Sequence, residues 1–268
     1  MNKIISITFF LILLSVYSCN NQKKNIIQVD PNSNNIENTL LENIKQFKDS
    51  FLLKENLIQF YRDGANYKTA ISNVNEYIKH DSINPRLWNM KAVLHFENGD
   101  TIESIQSFEK EMQLISNTTD TIALATLYAE TKNKKALAIA DALLENYKQN
   151  FQKQAWFIKG LYYSYVANKT EAIVYFDKCI SLDYTFMEAY REKAIALYDK
   201  KQYNNAISVL NKAVTIQNGF DEGYFYLGKC YEKIEDHEKA REAYQKAILY
   251  NADYEEAKKA LKKLMMQQ

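Results

Sequence analysis

Apolar and small residues recur along this chain at spacings that predict pairs of helices. Two runs within residues 153–186 show the spacing most clearly: Trp156, Gly160 and Tyr163, then Ala172, Phe176 and Cys179. Steps of three and four positions place the members of each run on one face of a helix. The stretch therefore predicts two amphipathic helices that pack against each other.

The same arrangement recurs with a period of 34 residues. One position of the second helix is small in every period: Ala70, Ser104, Ala138, Ala172, Ala206 and Ala240. The position that crosses it on the first helix varies more: Ile58, Ala92, Thr126, Gly160, Ala194 and Gly228. A large side chain at a close crossing would push the helices apart, so the interval indicates a structural repeat. The period predicts six repeats, at 51–84, 85–118, 119–152, 153–186, 187–220 and 221–254.

The register of residues 153–186 resembles the tetratricopeptide repeat. That family places Trp, Leu-Gly and Tyr on one helix and Ala and an aromatic residue on its antiparallel partner. The resemblance implies an all-α fold, a right-handed superhelical solenoid of about six helix-turn-helix repeats. It also implies capping helices at 36–50 and 255–268, and a core position for Trp156. Only 6 Gly and 2 Pro in 268 residues likewise argue against a β-rich or loop-rich fold.

The third repeat departs from this register. Its second helix has an apolar face displaced by two residues: Ala136, Ile139, Ala140, Leu143, Leu144 and Tyr147. The displacement predicts a shorter turn before that helix and a longer link after it. Simple drift and a functional hinge both fit the pattern.

The N-terminus has the features of an export signal. Lys3 precedes an uncharged, mostly apolar run, Ile4 to Val16, which is too short to span a bilayer. The run ends at Cys19, and residues 16–19 resemble a bacterial lipobox, which implies a signal peptide at 1–18 and acylation of Cys19. An ordinary secretory signal with an incidental Cys is the alternative. The Asn-rich residues 19–35 predict a flexible tether, and the resemblance implies the periplasmic face of the outer membrane.

Charge and motifs exclude several kinds of chemistry. The formal net charge of +1 provides no basic field for nucleic acid. His80, His95 and His237 lie in three different repeats, and the glycines form no phosphate-binding loop. We therefore expect no catalytic residue, no metal and no cofactor. Cys179 and Cys230 lie in repeats four and six, too far apart for a disulfide, and we expect both to be buried.

The resemblance also implies a binding surface, because first helices of successive repeats line a concave groove in this family. The positions carried over are Phe157, Leu161, Tyr165, Arg191, Ile195, Tyr198, Phe225 and Lys229. Aromatic side chains beside isolated cations suit a peptide or protein partner. The expected function is a non-catalytic protein-binding scaffold, anchored to the membrane by its lipid. Two alternatives stay open: the rings pack within the array, or the chain is an accessory glycan-binding lipoprotein of an outer-membrane uptake system.

Overall fold

A computed structural model describes residues 33–266, and these residues form fourteen α-helices and no strand. The predicted signal peptide, Cys19 and most of the predicted tether lie outside this part of the chain. The helices are α1 Ser33–Gln46, α2 Phe51–Asp63, α3 Tyr67–His80, α4 Pro85–Glu97, α5 Thr101–Leu114, α6 Thr118–Glu130, α7 Lys135–Asn146, α8 Lys148–Tyr165, α9 Lys169–Leu182, α10 Met187–Asp199, α11 Tyr203–Ile216, α12 Asp221–Lys233, α13 His237–Tyr250 and α14 Glu255–Met265. None of the described helices is long and apolar enough to cross a membrane.

Each pair of helices is joined by the same tight turn. One residue in the turn before the second helix has a positive φ in all six pairs: Ala65, Gly99, Lys132, Ala167, Lys201 and Glu235. The amide after that residue donates to a carbonyl five positions back, as Asn66 does to Tyr61 O at 2.8 Å and Asn168 to Tyr163 O at 2.9 Å. These are the left-handed residue and the long hydrogen bond of a Schellman motif. Side chains such as Asn66 and Asn168 then cap the next helix.

The chain packs as two compact units, one ending at Leu124 and the other beginning at Ala125. In the first unit, Leu57, Ile58 and Val74 form a buried core, and Leu40 and Ile44 of α1 pack against it. This packing covers the apolar side of the first helix pair, which is the role of an end cap in a repeat protein. Helix α1 begins at Ser33, so the prediction that residues 33–35 belong to a flexible tether is wrong.

The second unit shows why the repeat needs small residues. Gly160 of α8 faces the fully buried Phe176 of α9, and Gly228 of α12 faces Tyr244 of α13 in the same way. A side chain at either glycine would overlap the opposing ring, so the close approach of the two helices in each pair depends on glycine at these positions. Leu264 of α14 packs on Ala240 and Tyr244 at the far end of this unit.

The displacement predicted for the third repeat is present in its buried residues. In five pairs the buried small residue follows the left-handed residue by five positions, as Ala172 follows Ala167, whereas Ala136 follows Lys132 by four. The link after the helix is correspondingly longer. Buried Ala155 lies twelve positions after Leu143, and Ala189 lies ten after Cys179. The extra residues form the start of α8, which bends at Phe151, where φ is −127°.

Trp156 is not the core residue that the sequence predicts. Tyr190, its equivalent in the next repeat, is 1% exposed and packs in a cluster that includes Ile180 of the preceding second helix. With the two-residue displacement of the third repeat, the residue equivalent to Ile180 is Leu144, which is partly buried. Trp156 is nevertheless partly exposed.

Candidate functional site

The eight predicted binding residues lie on three successive first helices of the second unit. Helix α8 carries Phe157, Leu161 and Tyr165, α10 carries Arg191, Ile195 and Tyr198, and α12 carries Phe225 and Lys229. Steps of three and four positions keep the members of each helix on one face. Contacts and burial divide them into two groups.

Three of the eight residues are buried and do not reach solvent. Phe157 is 1% exposed and packs on Phe176 and Phe186, with ring centroids 5.7 and 5.0 Å away. Leu161 is buried on the same helix. For Phe157 and Leu161, packing within the array is the correct alternative. Both side chains contribute to the core of the fourth repeat.

Arg191 is the third buried residue, and it ties α10 to α12. Its Nη1 donates to Glu222 Oε2 at 2.6 Å and its Nε to Glu192 Oε1 at 3.1 Å. Burial opposes the charge on Arg191, but the carboxylates of Glu192 and then Glu222 outweigh it and raise its pKa. A buried charge is retained only when it is paired in this way. Arg191 is therefore committed to its own neighbours and positions the two helices.

The other five predicted residues are partly exposed: Tyr165, Ile195, Tyr198, Phe225 and Lys229. Burial first, and the nearby carboxylates of Glu130 and Glu192 next, raise the pKa of the Tyr165 hydroxyl. Its hydroxyl is therefore a neutral hydrogen-bonding group at physiological pH. The five residues form a mixed apolar and polar surface across α8, α10 and α12.

Lys229 has an unusual setting on this surface. Its ammonium lies over three rings, at 5.1 Å from the centroid of Tyr198, 5.7 Å from Phe225 and 5.0 Å from Tyr226. Among the described residues no carboxylate lies within salt-bridge distance of Lys229, and burial lowers its pKa. Cation–π contacts compensate only part of the lost hydration. We call Tyr198, Phe225, Tyr226 and Lys229 the Lys229 cluster.

Sequence reasoning overlooked two members of this region. Tyr226 is buried under Lys229, and Glu192 pairs with Arg191. Both follow directly after a residue that was selected, so they fall outside the family's groove positions. The signal that could have found Glu192 is a charged pair, Arg191-Glu192, on a helix whose other residues are mainly apolar.

No group of three or more His, Cys, Asp or Glu side chains in residues 33–266 is arranged to hold a metal ion. Cys179 and Cys230 are free thiols and both are buried, as predicted. Burial raises the pKa of each thiol to about 12, so neither is a thiolate at neutral pH.

Part of the chain matches the tetratricopeptide repeat. The repeat's family models match residues 153–186 and residues 197–264, which are parts of the second unit. Tetratricopeptide repeat proteins generally mediate protein–protein interactions and are typically non-catalytic scaffolds.

Solved structures with this fold extend the likeness over most of the chain. A tetratricopeptide repeat protein from Parabacteroides merdae is 19% identical with a TM-score of 0.72, covering 85% of this chain and 91% of its own. PilW, a type IV pilus biogenesis factor, is 16% identical with a TM-score of 0.60, covering 80% and 97%. A thermophilic repeat protein of Thermus thermophilus is 11% identical with a TM-score of 0.59, covering 68% and 100%. These structures confirm an all-α helical repeat solenoid. No curated protein sequence matches the chain.

Proposed function

We propose that this chain is a non-catalytic scaffold that binds a peptide segment of a partner protein on the partly exposed surface of α8, α10 and α12. The observation that carries the proposal is the Lys229 cluster. The ammonium of Lys229 is partly buried, surrounded by rings and without a carboxylate partner. A ligand carboxylate that pairs with it would therefore contribute strongly to binding affinity.

The neighbouring side chains define the rest of the ligand. Tyr198, Phe225 and Ile195 offer apolar area without a charge of their own, and rings provide contact area at low cost in side-chain entropy. Buried Arg191 holds α10 against α12, so the surface is formed before a partner arrives. The expected ligand is a peptide with a carboxylate next to large apolar residues.

We further propose that the chain is held at the bacterial cell envelope by acyl chains on Cys19, at the periplasmic face of the outer membrane. The support is the apolar run before Cys19 and the absence of an acidic residue at positions 20–24. Two or more acyl chains give stable attachment, where one gives only marginal binding.

A peptide-display selection on the full chain, purified in detergent, tests the binding proposal. We expect enriched peptides to carry Asp or Glu beside aromatic or aliphatic residues, and to bind Lys229→Gln about tenfold more weakly. Lys212→Gln is the matched control, since Lys212 is an exposed lysine on the second helix α11. Equal binding to wild type and Lys229→Gln would remove the Lys229 cluster from the site.

A further inference from the structure

A cleft of about 500 Å³ is formed by residues of α8 and α9 in the fourth repeat. Trp156 of α8 forms one wall, and five residues of α9 complete it: Val174, Asp177, Lys178, Ser181 and Leu182. Trp156 and Phe157 are neighbours in sequence, so their side chains leave α8 about 100° apart, and Phe157 is directed into the core. The cleft therefore involves none of the residues of the Lys229 cluster.

The side chain at the position of Trp156 is buried in the next two repeats. At the equivalent position of the next repeat Tyr190 is buried, and at the following one Tyr224 is buried as well. Trp156, in contrast, is partly exposed. The fourth repeat therefore presents an indole ring where the fifth and sixth repeats bury a tyrosine.

The groups in the cleft have few partners of their own. Trp88 donates its indole N–H to Ser82 O at 2.8 Å, whereas Trp156 makes no such bond within residues 33–266. Lys178 lies 5.9 Å from the Trp156 ring and 4.6 Å from the Tyr175 ring, and no carboxylate of the described chain is within salt-bridge distance of it. Its ammonium is the one cation of the cleft.

The apolar rim favours a protein ligand over a sugar. Val174 and Leu182 are 43% and 52% exposed beside the indole. Asp177 accepts from Lys193 Nζ at 2.5 Å through Oδ1, so part of its hydrogen-bonding capacity is already used. A sugar site needs several hydrogen-bonding groups around the ring, whereas the apolar parts of Trp156, Val174 and Leu182 form much of this lining.

We propose that this cleft is a second binding site, which takes an acidic segment of a protein partner. An apolar side chain of that segment fills the space between Trp156 and Leu182, and an adjacent carboxylate pairs with Lys178. The charge of the cleft is complementary to such a segment, because its other charged residue, Asp177, is neutralised by Lys193.

Trp156 itself reports on the site. The chain has two tryptophans, so Trp88→Phe leaves Trp156 as the sole indole. A display library of short random peptides is selected on the full chain with this change, and enriched peptides are titrated while Trp156 emission is followed. Peptides with an apolar residue next to Asp or Glu should shift the emission of Trp156. Lys178→Glu should weaken the binding of these peptides about tenfold.

The next repeat provides a matched control. Lys212 lies 34 positions after Lys178, is also exposed, and has a buried Tyr190 in place of the exposed indole. Lys212→Glu and Lys229→Gln should leave the affinity for these peptides, measured by Trp156 emission, unchanged. The proposal is overturned if no peptide shifts Trp156 emission, if Lys212→Glu or Lys229→Gln weakens binding as much as Lys178→Glu, or if only oligosaccharides shift the emission.

Discussion

Adding one methyl group at Gly160 should destabilise the fourth repeat. The new Cβ would lie 2.5 Å from Cε1 and 2.8 Å from Cδ1 of Phe176, well inside the roughly 3.5–4 Å of an ordinary carbon contact. Phe176 is fully buried and packs on Phe157, which is buried too. The ring cannot turn away without moving a second ring, so the two helices must separate.

The expected loss follows from two opposing effects. Overpacking a core costs about 1–3 kcal/mol, and we expect the upper half of that range because the obstructing atoms belong to a fixed ring. Alanine is favoured over glycine inside a helix by about 1 kcal/mol. Gly160→Ala should therefore lower the free energy of unfolding by about 1–2 kcal/mol. Urea unfolding followed by circular dichroism measures it.

Gly64→Ala is the matched control, because its Cβ would meet only backbone oxygens at 3.6 and 3.7 Å, which is ordinary contact. Its φ of −79° suits any residue, so this variant should be neutral or slightly more stable. A second test adds Phe176→Leu to Gly160→Ala. The double variant should be more stable than the sum of the single effects predicts. If Gly160→Ala is as stable as wild type, the crossing of these two helices does not require glycine at this position.

Three further predictions follow from burial and from the N-terminal sequence. Burial, and then the carboxylate of Asp120, raise the pKa of Glu111 to about 8 from 4.5, so the folded chain retains a proton that the unfolded chain releases. Stability should therefore fall as pH rises from about 4.5 to about 8. Glu111→Gln should make the free energy of unfolding depend less on pH and raise it at pH 8 by about 1–3 kcal/mol. An unchanged pH dependence would contradict the retention of a proton by Glu111. Tyr190→Ala should cost about 3–5 kcal/mol and Trp156→Ala clearly less in urea unfolding, because only Tyr190 is buried; equal losses would contradict this difference. Cys19→Ser should move the protein from the membrane fraction to the soluble fraction on an immunoblot, and continued membrane attachment would argue against acylation.

Much of the fold can be predicted from the sequence because the small residues that recur every 34 positions indicate where helices cross. Gly160 and Ala172 are small because two helices cross closely there, and this crossing recurs every 34 residues. The displaced stripe of the third repeat was visible for the same reason, since Ala136 and Ala140 occupy positions that Ala138 and Ala142 would otherwise fill.

Environments that depend on a neighbouring repeat are harder to predict. Trp156 matches the repeat's pattern fully, yet it is partly exposed, whereas Tyr190 at the equivalent position of the next repeat is buried. Two candidate site residues show the same limit. The sequence places Phe157 and Arg191 on the face of the first helices, but it does not tell how closely those helices approach. Their burial depends on that approach.

Site-specific photo-crosslinking tests the central claim, a peptide-binding surface at the Lys229 cluster, most directly. A photoreactive residue replaces Tyr198 in the full chain in its own cells, and another replaces Lys212 as the control. We predict one dominant protein adduct at position 198, absent at position 212, lost with Lys229→Gln and mapping to a segment with acidic and apolar residues. Adducts of equal yield at both positions, or an adduct at position 198 that persists in Lys229→Gln, would contradict the account.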